Sequence, residues 1–441
     1  MRLGKAVRLG VISLGCPKNL VDTERALGQL LSGHIVLVED IADADWVLIN
    51  TCGFIQDAKD EAKNTIKEVA SLKRQNENLR IAVAGCLSQR YGDSLLSELD
   101  HVDYLTGVLT RDNVCDLAKA ISGRAARTSY AEFDDRQRLR ITPRHTGYLR
   151  ITEGCNNRCS YCAIPSIRGP LRSRPFENVI ADAEELLSDG VVELNVIGQD
   201  TTAYGLDFYE KYRLSDLLTE LGRLNRRGWV RLLYAHPAHL DDKVIDCLQQ
   251  GFPFVPYLDL PLQHISDRIL SLMGRKVSRT RIESLLKQAR YYIEGLYVRT
   301  SFIVGFPTET PAEFEEVISF IESFRFERLG AFTYSCEDGT EAAGFDGQIS
   351  DEEKNSRLDR IMKTQADIAF EFNRCLVGTR IPGIIDGRSD REDLPLLART
   401  YGDAPEVDGT VYAAGSAKEG SLVTLHITGV DGYDLLAEVV R

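Results

Sequence analysis

The chain has 441 residues, 43% of them hydrophobic and 27% charged, with a formal net charge of −13. That length corresponds to about three domains at ~150 residues each, and the composition is that of an ordinary globular protein. No apolar run reaches the ~18 residues of a membrane-spanning helix, and the negative charge disfavours broad attraction to nucleic acid while suiting a basic partner.

The first residues, Met1-Arg-Leu-Gly-Lys-Ala-Val-Arg, lead into a strand-like run and are not read as a signal peptide. A cytoplasmic location without membrane contact is expected, and in that reducing compartment cysteines are thiols or metal ligands. Residues 7–123 alternate short apolar runs with helical patterns. Asn19 to Leu31 places Leu20, Leu27, Leu30 and Leu31 on one helical face, and residues 56–76 are charged and helix-favouring. The pattern predicts an open α/β domain over residues 1–123 with a mostly parallel sheet. Cys16, Cys52 and Cys86 each close an apolar run: Val11-Ile-Ser-Leu-Gly-Cys16, Val47-Leu-Ile-Asn-Thr-Cys52 and Ile81-Ala-Val-Ala-Gly-Cys86. Ligands of such sheets gather beyond the carboxyl ends of the strands, so the three cysteines are expected to converge there.

Residues 124–146 lack periodicity and read as a charged linker. From Gly147 to residue 374, strand-like runs at 147–152, 192–198, 229–235, 254–260, 296–304 and 328–334 alternate with helical segments at 176–189, 214–225, 240–250, 279–294 and 311–324. Six βα units predict a partial (β/α)6 barrel, whose site lies in the loops after the strands. Those loops are polar. They carry Cys155, Cys159 and Cys162, then Gly198-Gln-Asp-Thr-Thr-Ala-Tyr-Gly205, His236-Pro237, Pro261-Leu-Gln-His264 and Gly305-Phe-Pro-Thr-Glu309. A charged helix follows at 351–374. The tail, 375–441, has short β-like runs and many glycines, which suggests a small antiparallel β-barrel. It carries six basic and eleven acidic residues, net −5.

The chemistry rests on the cysteines. Cys155, Cys159 and Cys162 are spaced C-x3-C-x2-C. A structural zinc normally takes four ligands. His145 would complete such a site only at an unusual spacing. Three thiolates on a [4Fe–4S] cluster instead leave one iron open for a substrate or cofactor. Cys16, Cys52 and Cys86, at three equivalent strand ends, favour a second cluster of the same kind. Cys115, Cys247, Cys336 and Cys375 lack convergent spacing and read as ordinary buried or half-buried thiols.

The C-x3-C-x2-C spacing with Tyr161 before the last cysteine resembles the radical S-adenosylmethionine (SAM) enzymes, whose fold is a partial barrel. With the dispersed trio, the chain resembles the methylthiotransferases over essentially its whole length. The resemblance implies an auxiliary [4Fe–4S] cluster on Cys16, Cys52 and Cys86, a radical SAM [4Fe–4S] cluster on Cys155, Cys159 and Cys162, and a C-terminal TRAM β-barrel. Within that family, Ser13-Leu-Gly-Cys-Pro-Lys-Asn-Leu-Val-Asp22, the 198–205 loop, Asp403-Ala-Pro-Glu-Val-Asp-Gly409 and Arg299-Thr-Ser-Phe-Ile-Val-Gly-Phe-Pro-Thr-Glu309 are similar to the branch that modifies an aspartate β-carbon of ribosomal protein S-twelve. Thr308 replaces the commoner glycine. The implied reaction takes a methyl group from one SAM, a 5′-deoxyadenosyl radical from a second, and sulfur by way of the auxiliary cluster, with an electron donor such as flavodoxin or ferredoxin.

The alternative within the family is a transfer-RNA adenosine methylthiotransferase. An acidic tail argues against that substrate, because ribosomal proteins are typically basic and transfer RNA is not. A third reading, a non-catalytic iron–sulfur scaffold, leaves the polar strand-end loops without a purpose. Tyr161, Glu193, Asn195, Gln199 and Gln263 are candidate SAM contacts. Asp200, His264 and Arg299 are candidate substrate contacts, Arg299 because a guanidinium matches a carboxylate bidentately. For each, packing, solvation or a structural ion pair is the competing expectation.

Overall fold

The computed structural model describes residues 6–31, 34–99, 101–123, 135–136 and 138–440. Residues 124–134 and 137 of the expected linker lie outside them. The chain forms two compact units. One takes the chain up to Ile141, Glu153–Asn156 and Cys162–Leu171; the other takes Thr142–Thr152, Asn157–Tyr161 and the chain from Arg172.

The first unit is an open sheet with strand order Ile35–Leu37, Val7–Ser13, Trp46–Thr51, Arg80–Gly85, Tyr104–Leu105, and every pairing is parallel. Its central strands are continuous apolar runs because a parallel sheet is covered on both faces. Leu9, Leu27, Leu48, Ala82 and Leu117 fill one side, and Val47, Ile49, Ile66, Ile81 and Val83 the other. The helix expected over 19–31 runs Pro17–Leu30 and starts with proline in its first turn, where the missing N–H costs nothing. The 56–76 pattern forms the helix Gln56–Ser71 and a short 3-10 turn, Leu72–Arg74. The chain winds to opposite sides of the Val7–Ser13 strand. That strand and its neighbour Trp46–Thr51 therefore open a crevice at their carboxyl ends.

In the second unit, six strands lie in parallel and in chain order: Thr146–Arg150, Glu193–Ile197, Trp229–Leu232, Phe254–Asp259, Tyr297–Val304 and Arg328–Thr333. The intervening helices include Phe176–Ser188, Leu214–Leu224, Asp242–Gln249, Arg279–Tyr292 and Pro311–Phe324. Period-two alternation divides each strand. Leu194, Val196, Val230, Leu232, Leu258 and Val298 join a core with Leu217, Ile245, Leu285 and Phe320. Glu193, Asn195, Arg231, Tyr257 and Arg299 take the other, inner face.

After the helix Asp351–Leu376, five strands close a barrel. The pairings are antiparallel except that Val411–Ala414 runs parallel to Asp434–Val440. The tail's 399–408 segment is bonded to the inner face of the six-stranded sheet. Arg399 reaches Glu193 at 2.8 Å, Asp403 pairs with Arg328 at 2.5 Å, and Asp408 accepts from the Tyr257 hydroxyl at 2.6 Å. Asp386 holds Arg399 at 2.7 Å. Part of the tail's acidity is thus consumed inside the unit, which weakens charge repulsion as an argument about substrate.

Candidate functional site

None of the ten cysteines is in a disulfide. Cys16 caps the helix Pro17–Leu30, Cys52 follows the strand Trp46–Thr51, and Cys86 opens the helix Cys86–Tyr91 directly after the strand Arg80–Gly85. Glycines allow the approach. A side chain on Gly15, whose φ is +87°, would place Cβ 2.7 Å from Cys52 Cβ, and one on Gly53 would fall 2.6 Å from Leu87 Cα. The thiols feel one another. Burial pushes Cys52 up, and the charge of Cys16 adds to it. Burial pushes Cys86 to about 11, with Cys16 and Cys52 adding to it. At Cys16 burial is outweighed by Lys18, Arg168 and backbone N–H groups at the helix start, so its thiol falls below the ordinary value.

This donor set fits a cluster better than a single ion. Three thiolates on zinc lie ~3.8 Å apart, as Zn–S bonds of ~2.3 Å in a tetrahedron require. Among the described residues, the group of three ligand atoms lying within 4.8 Å of one another is Asp200, His236 and His239, not this trio. Three like-charged thiolates in a buried crevice need a cationic partner, which several irons supply.

A buried arginine completes this site. Arg168 Nη1 donates to Asp22 at 2.7 Å and Glu153 at 3.1 Å, and Nη2 donates to Asn19 Oδ1 at 3.2 Å and Cys86 Sγ at 3.4 Å. Asn19 also bonds the Leu14 carbonyl, at 2.7 Å, so it ties the cysteine turn to the arginine.

The Cys155, Cys159 and Cys162 thiols are each half-buried. In the first unit the Cys155 N–H donates to the Gly169 carbonyl at 3.1 Å. In the second, Ser160 donates from N to the Met273 carbonyl at 3.1 Å and from Oγ to the Leu272 carbonyl at 2.7 Å. Arg275, also buried, donates to the Pro261 carbonyl at 2.5 Å and places Nη1 3.9 Å from Cys159 Sγ. His145 is no fourth ligand: it is buried against Asp386 at 2.9 Å.

Asp200 is buried and bonded to the cysteine loop through Asn157. Its carboxylate accepts from Asn157 at 2.7 Å, Thr202 at 2.5 Å and His239 at 2.8 Å. Burial opposes its charge, but the two histidines and Thr202 hold it at about 2. Burial, with Arg275, pushes His236 down to about 3. The His236 Nδ1 accepts the Ala238 N–H at 3.2 Å, which leaves the proton on Nε2 and argues against an ion there.

The other expected contacts divide. Asn195 is fully buried, and neither atom of its amide has a partner among the described residues, as a ligand contact requires. Gln199 is half-buried. Gln263 adopts φ +73°, locked by backbone bonds to Ser301 and Ile303. Tyr161 packs its ring with Ile269, Met273 and Phe306. Three more make close contacts within the protein. Glu193 is held by Arg231 and Arg399, each at 2.8 Å. Arg299 is taken by Asp259 at 3.0 Å and Asp408 at 3.5 Å, the structural ion pair. His264 is fully buried, 3.7 Å from Glu309. Cys336 and Cys375 are exposed, where burial was expected. Sequence reasoning missed Arg168, Arg275 and Asn157. The only signal for Arg275 was its place after Met273-Gly274 in a polar loop.

Residues 8–107 match the uncharacterized protein family UPF0004, 149–321 the radical SAM superfamily and 377–440 the TRAM domain. Among solved structures, the radical SAM methyltransferase TsrM from Kitasatospora setae, with cobalamin and a [4Fe–4S] cluster bound, is similar at a TM-score of 0.54 and 17% identity, covering 75% of each chain, which shows a shared fold. Among curated proteins, the ribosomal protein uS12 methylthiotransferase RimO of Geotalea uraniireducens is 41% identical, covering 98% of both chains. That of Syntrophotalea carbinolica is 42% identical, covering 98% of this chain and 97% of its own. With whole-length identity at that level and a radical SAM domain, the chain belongs to the RimO family of radical SAM methylthiotransferases.

Proposed function

We propose that the protein attaches a methylthio group to the β-carbon of an aspartate in ribosomal protein uS12, the small-subunit protein S-twelve. The observation that carries this reading is the pairing of two three-cysteine sites in a chain 41% identical over 98% of its length to a uS12 methylthiotransferase. Cys16, Cys52 and Cys86 would hold one [4Fe–4S] cluster, and Cys155, Cys159 and Cys162 the other. When bound, the clusters and SAM supply a methyl group, a sulfur and a hydrogen-abstracting radical; the protein orients them and excludes competing reactions.

The chain's own contribution follows from its geometry. Asn195 offers an amide donor and acceptor to SAM from the inner face of the sheet. Gln199, Gln263 and Tyr161 are further candidate contacts, Tyr161 through its ring face. Asp200 acts at one remove, by fixing Asn157 within the cysteine loop. An electron donor such as flavodoxin or ferredoxin delivers single electrons, and the reaction takes place in the cytoplasm. No helix among the described residues is long and apolar enough to cross a membrane.

The test is anaerobic turnover of the reconstituted protein with SAM and reductant, offered uS12 and transfer RNA in parallel. The expected result is a gain of about 46 Da on one uS12 aspartate, the mass of a methylthio group replacing hydrogen in radical chemistry. Methylthiolated adenosine with unmodified uS12 would overturn the assignment.

A further inference from the structure

Each cysteine site holds a buried arginine aimed at a cysteine sulfur. Arg168 donates to Cys86 Sγ at 3.4 Å, and Arg275 Nη1 stands 3.9 Å from Cys159 Sγ. Only 6% of Arg168 and 5% of Arg275 is exposed. A guanidinium taken out of water is costly unless it is paired and hydrogen-bonded. The two arginines meet that requirement differently.

Arg168 is neutralised in place. Asp22 and Glu153 both accept from it, at 2.7 and 3.1 Å, and Asn19 fixes the nitrogen that faces Cys86. Among the described residues Arg275 has no carboxylate within ion-pair distance, and Asp200 acts on it only from farther away. Among the described residues its bonds go to the Pro261 carbonyl and Cys159 Sγ, and its buried Nε has no partner. A buried cation left in this state is compensated when an anion occupies the site, and three thiolates around a cluster supply one.

We propose that Arg275 and Arg168 set the reduction potentials of the two clusters, Arg275 with no carboxylate bonded to it and Arg168 attenuated by Asp22 and Glu153. Hydrogen bonds and charge at the sulfurs are established levers on cluster potential. Reduction brings one electron from an external one-electron donor and moves no proton, so negative charge at the site grows by one. A fixed guanidinium stabilises that product and raises the potential. The inference rests on the two-cluster reading above.

The experiment is a redox titration of the reconstituted full-length protein followed by electron paramagnetic resonance, with iron and sulfide measured alongside. Signals are assigned with the two triple cysteine-to-alanine variants. Arg275→Met is expected to disfavour reduction of its cluster about tenfold or more, a shift of about 59 mV for one electron. Arg168→Met shifts the auxiliary cluster the same way by less. Asp22→Asn, which unmasks Arg168, shifts it the opposite way. Arg275→Lys and Arg168→Lys, which keep the charge, recover part of each shift. Unmoved potentials would overturn the proposal, as would Asp22→Asn and Arg168→Met moving together. Failure of both the Met and Lys variants to retain the cluster would also overturn it, by assigning the arginine to assembly. Wild-type protein that binds only one cluster would instead sink the functional reading itself.

Discussion

The two cysteine sites are assembled by opposite means. Cys155, Cys159 and Cys162 come from one short loop, so their spacing is written in consecutive sequence. Cys16, Cys52 and Cys86 come from three separate strand ends and meet only because the sheet is parallel and ordered as it is. The second site should therefore be the more sensitive to changes in distant backbone. Their arginines differ in the same sense: Arg168 is part of a saturated network, whereas Arg275 is held by one carbonyl and a sulfur.

The largest effects should separate the two sites. Cys159→Ala should abolish SAM cleavage and product together. Cys16→Ala should abolish methylthiolation while SAM cleavage persists, because its cluster is the auxiliary one. Both are read by chromatography of 5′-deoxyadenosine and mass spectrometry of uS12, and loss of SAM cleavage in Cys16→Ala would break the division of labour.

Arg399→Met is a control that weakens support without touching either site. It leaves the buried Glu193 with Arg231 alone, and breaking a buried pair costs about 3–5 kcal/mol. Burial pushes Glu193 up, but Arg399 and Arg231 outweigh it and hold the carboxyl below its usual range. Its stabilisation is therefore present above the unfolded value of about 4.3 and lost as pH falls below it. Urea denaturation across pH 3 to 7 should show the variant losing that acid dependence, with unchanged iron content.

A smaller change should strike the topological site alone. Gly53→Ala would put Cβ 2.6 Å from Leu87 Cα, so the backbone carrying Cys52 or Cys86 must move. The expected cost is about 1–3 kcal/mol, with loss of the auxiliary cluster and retention of the other by iron analysis. Retention of both would show that the crevice is more compliant than its packing implies.

The smallest effect lies at Thr308. It adopts φ +67°, the left-handed region that explains why glycine is commoner there, and Arg268 compensates by bonding its hydroxyl at 3.1 Å. Thr308→Gly should relieve about 1 kcal/mol of strain and leave activity intact. A lowered melting temperature would mean that the Arg268 bond outweighs the strain.

Much of this was legible in the sequence. Five of the six barrel strands fall within the predicted runs, and the first, Thr146–Arg150, starts one residue ahead of its run, because each is a largely apolar stretch bounded by polar loops. The dispersed trio was legible because each cysteine ends such a stretch. The arginines were not, because a lone arginine carries no signature until the fold brings a sulfur to it. The partners of Glu193 and Arg299 were hidden for a related reason: period-two alternation puts both residues on the inner face, but Arg399 and Asp408, which pair with them there, lie more than a hundred residues away. Asp386, Asp403 and Asp408 likewise read as surface acidity, although each has an arginine or tyrosine partner.

The central claim is that two separate three-cysteine sites each hold a cluster. Its most direct test is iron and sulfide content, with Mössbauer spectra, of the wild type and the two triple alanine variants after anaerobic reconstitution. About eight irons per chain are predicted for the wild type and about four for each variant, as two cubane clusters require. A Cys16/Cys52/Cys86 variant that keeps the full wild-type iron would contradict it.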